Sequence, residues 1–221
     1  TVFFFPGIGS GPVAARSTCK NNLQQILLAL DNYHKDHGFY PSAYIADENG
    51  RPIHSWRVRL LPYLDQARPY NRYRFVEPWD GSHNRQFADV ALPVFCCPSD
   101  MDWDSGTTNY VAVIDPNTCR TGDKPVSKQD IGDPLDQTVL LVEVADSGIH
   151  WSKPRDFFIY PIPLEIDPQY GIGISGRHKS PGDHLAFCNG WVTNVKRDLP
   201  PETLRRLLQR NDCEPVDDLT A

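Results

Sequence analysis

The chain is short of positive charge. Lys and Arg number 22 against 28 Asp and Glu, a formal charge of −6 over 221 residues. A protein that grips nucleic acid by its phosphates shows a basic face or stripe, and none is visible here, so nucleic acid is not an expected partner. No run approaches the roughly 18 apolar residues of a membrane-crossing helix, so no complete transmembrane helix is present in the sequence. There is no Gly-x-Ser-x-Gly elbow and no phosphate loop ending in Gly-Lys-Ser/Thr, which leaves the hydrolase and nucleotide-binding readings without a motif. The paired Cys-x-x-Cys spacing of a structural zinc site is also missing. The sequence therefore carries no catalytic signature, and the expectation is a non-enzymatic protein without a cofactor.

Proline is plentiful instead. Twenty prolines are about twice the average share and dictate short elements and many turns, against a helical bundle or coiled coil. One helix is clear. Leu23, Ile26, Leu27, Leu30 and Tyr33 form a single stripe, with Asn21, Asn22, Gln24, Gln25, Asp31 and Asn32 opposite. This predicts a helix over 14–35, stopped by Gly38 and Pro41. Ahead of it, Gly7, Gly9, Gly11 and Pro12 read as a flexible lead-in. Val2–Phe5 reads either as the tail of an apolar helix or as an ordinary apolar segment.

Asn49-Gly50 marks a turn. Trp56, Leu60, Leu61 and Leu64 give an apolar face to a second helix over 55–66, interrupted by Pro62, and a short helix is expected over 84–91. The second half reads as strands, at 107–114 and 138–144. The latter, Thr-Val-Leu-Leu-Val-Glu-Val, is apolar enough for a central position. Asn189-Gly190 between two strand-like runs is the strongest hairpin signal in the chain. Pro200-Pro201 opens a last helix over 202–209. The economical architecture is α+β, a long N-terminal helix on an antiparallel sheet with proline-rich loops. Its expected boundaries are a lead-in over 1–13, one domain over 14–213 and a tail over 214–221.

Several residue groups invite a chemical reading. Gly171–Gly176 matches the letters of a dinucleotide fingerprint, but the residues after it do not start the required helix. Asp100, Asp102 and Asp104 place oxygens at alternate positions, as a calcium loop does, but the glycine is one place late and Val111 stands where the bidentate Glu belongs. At most weak calcium binding is expected there. His54-Ser-Trp56-Arg57 and Trp79-Asp80 set an aromatic beside a polar handle, which suits a core anchor or an aromatic binding patch. His178 and the Asp183-His184 pair read as hydrogen-bonded structural histidines before they read as ligands. The six cysteines, Cys19, Cys96, Cys97, Cys119, Cys188 and Cys213, fit three disulfides in an oxidising compartment. In an extended segment Cys96 and Cys97 point to opposite faces and so take different partners. Of the 15 connectivities that six cysteines allow, spacing alone selects none.

The ordered set Cys19-Lys-Asn21-Asn22-Leu23, Asp31-Asn-Tyr33-His34, Gly38-Phe-Tyr-Pro41, His54-Ser-Trp-Arg57, Leu61-Pro-Tyr-Leu64, Glu77-Pro-Trp-Asp-Gly81, Cys97-Pro-Ser-Asp100, Thr108-Asn-Tyr-Val-Ala112, Leu141-Val-Glu143, Arg177-His178 and Phe187-Cys-Asn-Gly190 resembles the pseudopilin-like proteins of unknown function abundant in planctomycete bacteria. The likeness spans roughly residues 14–197. It implies an extracytoplasmic structural or assembly protein of the cell envelope. Phe3–Pro6 would end a membrane helix that begins upstream of Thr1. The partners would be further copies, related pilin-like subunits or another envelope protein. It also implies that Cys19 pairs with Cys97. Two departures stand out. Ten residues rather than nine separate His178 from the closing turn, and Asn189 replaces the family's Asp. The glycines before Pro12 interrupt the expected helical spine, which favours a tethered domain. A binding module that recognises a glycan, peptide or envelope partner through aromatic loops is the alternative function.

Overall fold

The computed structural model describes residues 12–88, 91–100, 106–159, 165–166, 173–178, 183–214 and 216. The lead-in of Gly7, Gly9 and Gly11 and the Val2–Phe5 run lie outside them. Helix α1 spans Pro12–His37. Pro12 opens the helix rather than breaking it, because a first-turn residue has no intrahelical N–H bond to lose. The stripe from Leu23 to Tyr33 is buried. At the far end Gly38, at φ +83°, donates its N–H to the His34 carbonyl (2.7 Å) and stops the helix.

A hairpin follows, β1 (Tyr44–Ala46) with β2 (Pro52–Ser55), turned at Gly50. Ser55 then accepts the Arg57 N–H and caps α2 (Trp56–Leu60). The expected single helix over 55–66 is instead two pieces. Pro62 has no N–H for an i→i−4 bond, so the chain tightens into a 3-10 turn over Leu61–Leu64 and ends at Asp65 in the left-handed region. Helices α3 (Ala67–Arg72) and α4 (Arg85–Ala88) are short.

The expected strand over 107–114 also divides. Its first part, β3 (Tyr110–Val111), joins the main sheet, while β4 (Val113–Ile114) turns away to pair in parallel with β6 (Phe157–Phe158). Between them the Ala112 N–H is taken by the Asp156 carboxylate (2.9 Å) instead of a strand. The main sheet is antiparallel with order β3-β5-β7-β8, built from β5 (Val139–Glu143), β7 (Asp183–Phe187) and β8 (Val192–Val195). Asn189-Gly190 turns the last hairpin as expected, with Gly190 at φ +91°. Ile174 and Ser175 form isolated bridges with Ile166 and Val144, so no nucleotide-binding helix grows from Gly176.

The sheet separates two apolar cores. On one side α1 packs with Leu140, Leu141, Ala186 and Val192. On the other, Val139, Val142, Leu185 and Phe187 meet Leu204, Leu207 and Leu208 of α5 (Pro201–Leu208). Leu140 and Leu141 face the same side because the register slips between Val139 and Leu141, where two residues of β5 oppose one of β7. Beyond that bulge the alternation resumes and turns Glu143 toward α1's side, directly across from His184. The architecture is the α+β arrangement expected. Among the described residues no helix is long and apolar enough to cross a membrane.

Candidate functional site

Glu143 closes an otherwise apolar central strand, and it is 1% exposed. A carboxylate taken out of water needs compensating donors, and two histidines supply them. His184 lies across the ladder on β7 and donates from Nδ1 to Glu143 Oε2 (2.7 Å). His178 arrives on the segment that bridges to Val144 through Ser175, and donates from Nε2 to Glu143 Oε1 (2.9 Å). The two rings meet edge to face at 5.2 Å. Burial by itself would raise the Glu143 carboxyl, but the bonds from His178 and His184 outweigh it and hold the group below the ordinary glutamate value.

The shell around this triad is as closely fitted. Cys19 of α1 and Cys97 form a disulfide, with Cα atoms 5.2 Å apart, as the resemblance implied. Cys97 Sγ lies 3.9 Å from His178 Nε2, and Ser99 Oγ is 3.2 Å from Nδ1 of the same ring. Gly176 donates its N–H to Asp183 Oδ1 (2.8 Å). A methyl group on Gly176 would lie 2.6 Å from His178 Cδ2 and 3.1 Å from Glu143 Cδ, so only glycine fits there. The Cys19, Cys97, Glu143 and His178 ligand atoms lie within 4.8 Å of one another, the spacing of a metal cluster. With both sulfurs joined in a disulfide, no thiolate is offered, and the disulfide and the hydrogen-bonded triad together form a clamp. It ties α1, the sheet and the segment before β7 together.

The His54–Arg57 motif builds a second polar core. Arg57, fully buried, donates from Nη2 to Asp156 Oδ1 (2.6 Å) and to the Tyr110 carbonyl (2.8 Å). Trp56 Nε1 donates to Asp156 Oδ2 (3.0 Å), and the guanidinium groups of Arg57 and Arg120 stack on its ring. His54 bonds Tyr73 Oη (2.8 Å) and the Phe75 carbonyl (3.1 Å). The sequence left a core anchor and an aromatic binding patch both open for this motif; Trp56 and Arg57 are buried as an anchor, and no local signal marks Asp156 as their partner.

The remaining candidates fall apart in space. Asp100 is buried and accepts from Asn109 Nδ2 and from the Asp146 N–H (2.9 Å), with Arg177 Nε at 3.9 Å. Asp102 and Asp104, on which the calcium expectation also rests, lie outside the described residues. Trp79 is half-buried and stacks on His150 at 5.7 Å beneath Lys153, while Asp80 is exposed. Cys96 donates to the Thr107 carbonyl (2.9 Å) and Cys213 is exposed. Asn189 caps the closing turn by accepting the Trp191 N–H (2.9 Å). Beside that turn a groove of about 350 Å³ opens against α1, lined in part by Gln24, Leu27, Tyr40, Lys128 and Cys188. No residue of the triad lines it.

The fold and its buried clamp define an α+β domain in which an N-terminal helix is bonded covalently to the body it packs on. The chain belongs to the family described as proteins of unknown function, DUF1559, which matches residues 13–157. Glu143 and the disulfide lie within the matched span, while His178, His184 and the closing hairpin lie beyond it. No curated protein and no solved structure matches the chain.

Proposed function

We propose that this protein is an extracytoplasmic, pseudopilin-like structural subunit of the cell envelope that assembles through α1, and that it is not an enzyme. The observation that carries the reading is the character of the outer face of α1. From Asn21 to Leu30 the helix has no charged residue, and its exposed positions are Asn21, Gln24, Gln25 and Leu28, the last 59% exposed. A helix face meant only for water normally carries charge. An uncharged face with an exposed leucine suits packing against a neighbouring helix. The first turns, from Val13 to Thr18, hold no buried residue, whereas from Cys19 onward the helix is docked and disulfide-bonded. This arrangement supports a helix whose near end serves an assembly and whose far end serves the domain. The disulfide supports an oxidising compartment.

A photo-crosslinking residue at Gln25 of the full-length protein in its native cells tests this. The expected result is a covalent adduct with α1 of a second copy or of a related subunit in sheared surface material. The same probe at Val76, 95% exposed and far along the chain, should give none. A chain that stays monomeric, with no adduct at Gln25, overturns the proposal. Trp191, 65% exposed beside the groove, favours the alternative of a binding module. Adducts confined to Trp191 and a non-homologous envelope partner would select it.

A further inference from the structure

Cys119 and Cys188 lie 69 residues apart in sequence, yet their sulfurs are 3.5 Å apart in the α1 core, within contact distance. Both are nearly inaccessible, at 2% and 4% exposure. Nothing in the sequence pairs them: one follows Thr118 in a loop, the other closes β7. The tertiary fold brings them together. The Thr118 hydroxyl donates to the Val113 carbonyl (2.8 Å) and fixes the loop. The Cys188 N–H donates to the Thr138 carbonyl (2.9 Å) and fixes the strand end. A disulfide holds its sulfurs about 2.0 Å apart, so the bond requires the two side chains to close a gap of about 1.5 Å.

We propose that Cys119 and Cys188 are a second disulfide site, oxidised by thiol–disulfide exchange with a small-molecule or protein disulfide that enters through the groove beside α1. Cys188 is among the residues lining that groove and Cys119 is not, so an oxidant entering there reaches Cys188 first. Its thiolate attacks one sulfur of the oxidant, forms a mixed disulfide and expels the other sulfur as a thiolate. Cys119 then attacks the Cys188 sulfur of that mixed disulfide and expels the second. Two S–H bonds are lost from the protein and one S–S bond is made. The oxidant's S–S bond is broken and it leaves as two thiols carrying the two protons. The Cys119 contact and burial hold the Cys188 thiol well above its ordinary value, so exchange is slow in the closed fold; Arg120, with Nε and Nη2 lacking a hydrogen-bond partner among the described residues, offsets this only in part. The consequence is a second covalent staple across the α1 core. The first ties the helix to Cys97. The second ties the 119 loop to the closing hairpin and fixes the wall of the groove. The proposal rests on the sulfur contact and the groove and is independent of the filament reading.

The test uses the full chain, unfolded and refolded in a reduced–oxidised glutathione buffer so that access does not limit exchange. It is then acid-quenched, alkylated in denaturant and digested without reductant. The expected map contains a Cys119–Cys188 cross-linked peptide beside the Cys19–Cys97 one, with Cys96 and Cys213 alkylated. The refolded chain should melt roughly 10 °C above a Cys119→Ala/Cys188→Ala variant. Alkylated Cys119 and Cys188 beside an intact Cys19–Cys97 bond overturn the proposal, as does either cysteine linked elsewhere. Folding the reduced chain first and adding glutathione disulfide afterward tests the route. Blocking of the groove by Gln24→Trp should slow formation at least several-fold, and an unchanged rate removes the groove from the mechanism.

Discussion

Replacing Glu143 with alanine removes the acceptor that two buried rings share. The wild-type carboxylate receives bonds of 2.9 and 2.7 Å from His178 and His184, with all three side chains about 1% exposed. A hydrogen bond to a charged group contributes about 1.5–3 kcal/mol, and an orphaned buried donor costs about 1–3 kcal/mol. The two terms overlap, since losing the bond is what orphans the donor. Glu143→Ala is therefore expected to cost about 3–5 kcal/mol, a fall in Tm of roughly 10 °C for a chain of this size. Glu143→Gln keeps one acceptor oxygen and should cost about half as much. The pH dependence separates this role from simple packing. Because the folded carboxyl titrates below its unfolded value, the unfolded chain takes up the proton first on acidification. The contribution is complete above about pH 5.5, begins to fall as the pH passes the ordinary glutamate value and is lost as it falls through the lower folded value. Urea unfolding followed by tryptophan fluorescence, between pH 3 and 7 with the disulfide intact, reads both quantities. A Glu143→Ala loss below about 1 kcal/mol, or a Glu143→Gln profile as steep in acid as wild type, refutes the clamp.

Four further outcomes follow from the same physics. The Cys19→Ala/Cys97→Ala variant releases a constraint spanning 78 residues and should lose about 4–5 kcal/mol in denaturant unfolding, most of it through the unfolded chain. Asp156→Ala strands the Arg57 guanidinium without its counter-charge and should cost about 3–5 kcal/mol, visible as a lowered urea midpoint. Gly176→Ala drives a methyl group into His178 and Glu143 and should cost about 1–3 kcal/mol, with displaced imidazole resonances in NMR spectra. Burial, aided by Arg59, holds His54 below the usual histidine value, so its neutral form is the folded one. The unfolded chain protonates first, and stability should decline as the pH drops through about 6.5. The slope should be smaller in a His54→Gln variant by calorimetric scanning.

Much of the architecture was legible because its signals are local. The α1 stripe repeats at helical spacing, so its extent differs from the expected span by only two residues at either end. Asn189-Gly190 specifies a turn through its own backbone preferences, and the apolar run before Glu143 declares a central strand. Errors fell where a distant group intervened. The strand over 107–114 splits because Asp156, far along the chain, takes the Ala112 N–H. The helix over 55–66 divides at Pro62, a local signal, but the 3-10 turn and left-handed Asp65 beyond it are packed against α1 and α3. The second core's Arg57–Asp156 pair carries no spacing signal, since its partners are 99 residues apart.

The candidate site shows the same division. A charged residue at the end of a wholly apolar strand was itself the signal that Glu143 needs partners, because a carboxylate does not stay buried alone. Which groups answer that need was not written locally. The bulge in β5 decides that Glu143 faces α1's side, the ladder register puts His184 opposite, and the bridge at Ser175 delivers His178. Cys19 with Cys97 came from family likeness, while Cys119 beside Cys188 emerges only when the loop and the hairpin are folded together. By itself the sequence determined the elements, since periodicity and turn chemistry act over a few residues. The tertiary structure alone decided which polar groups meet, because desolvation, hydrogen bonding and sulfur contact act through space without regard to separation along the chain.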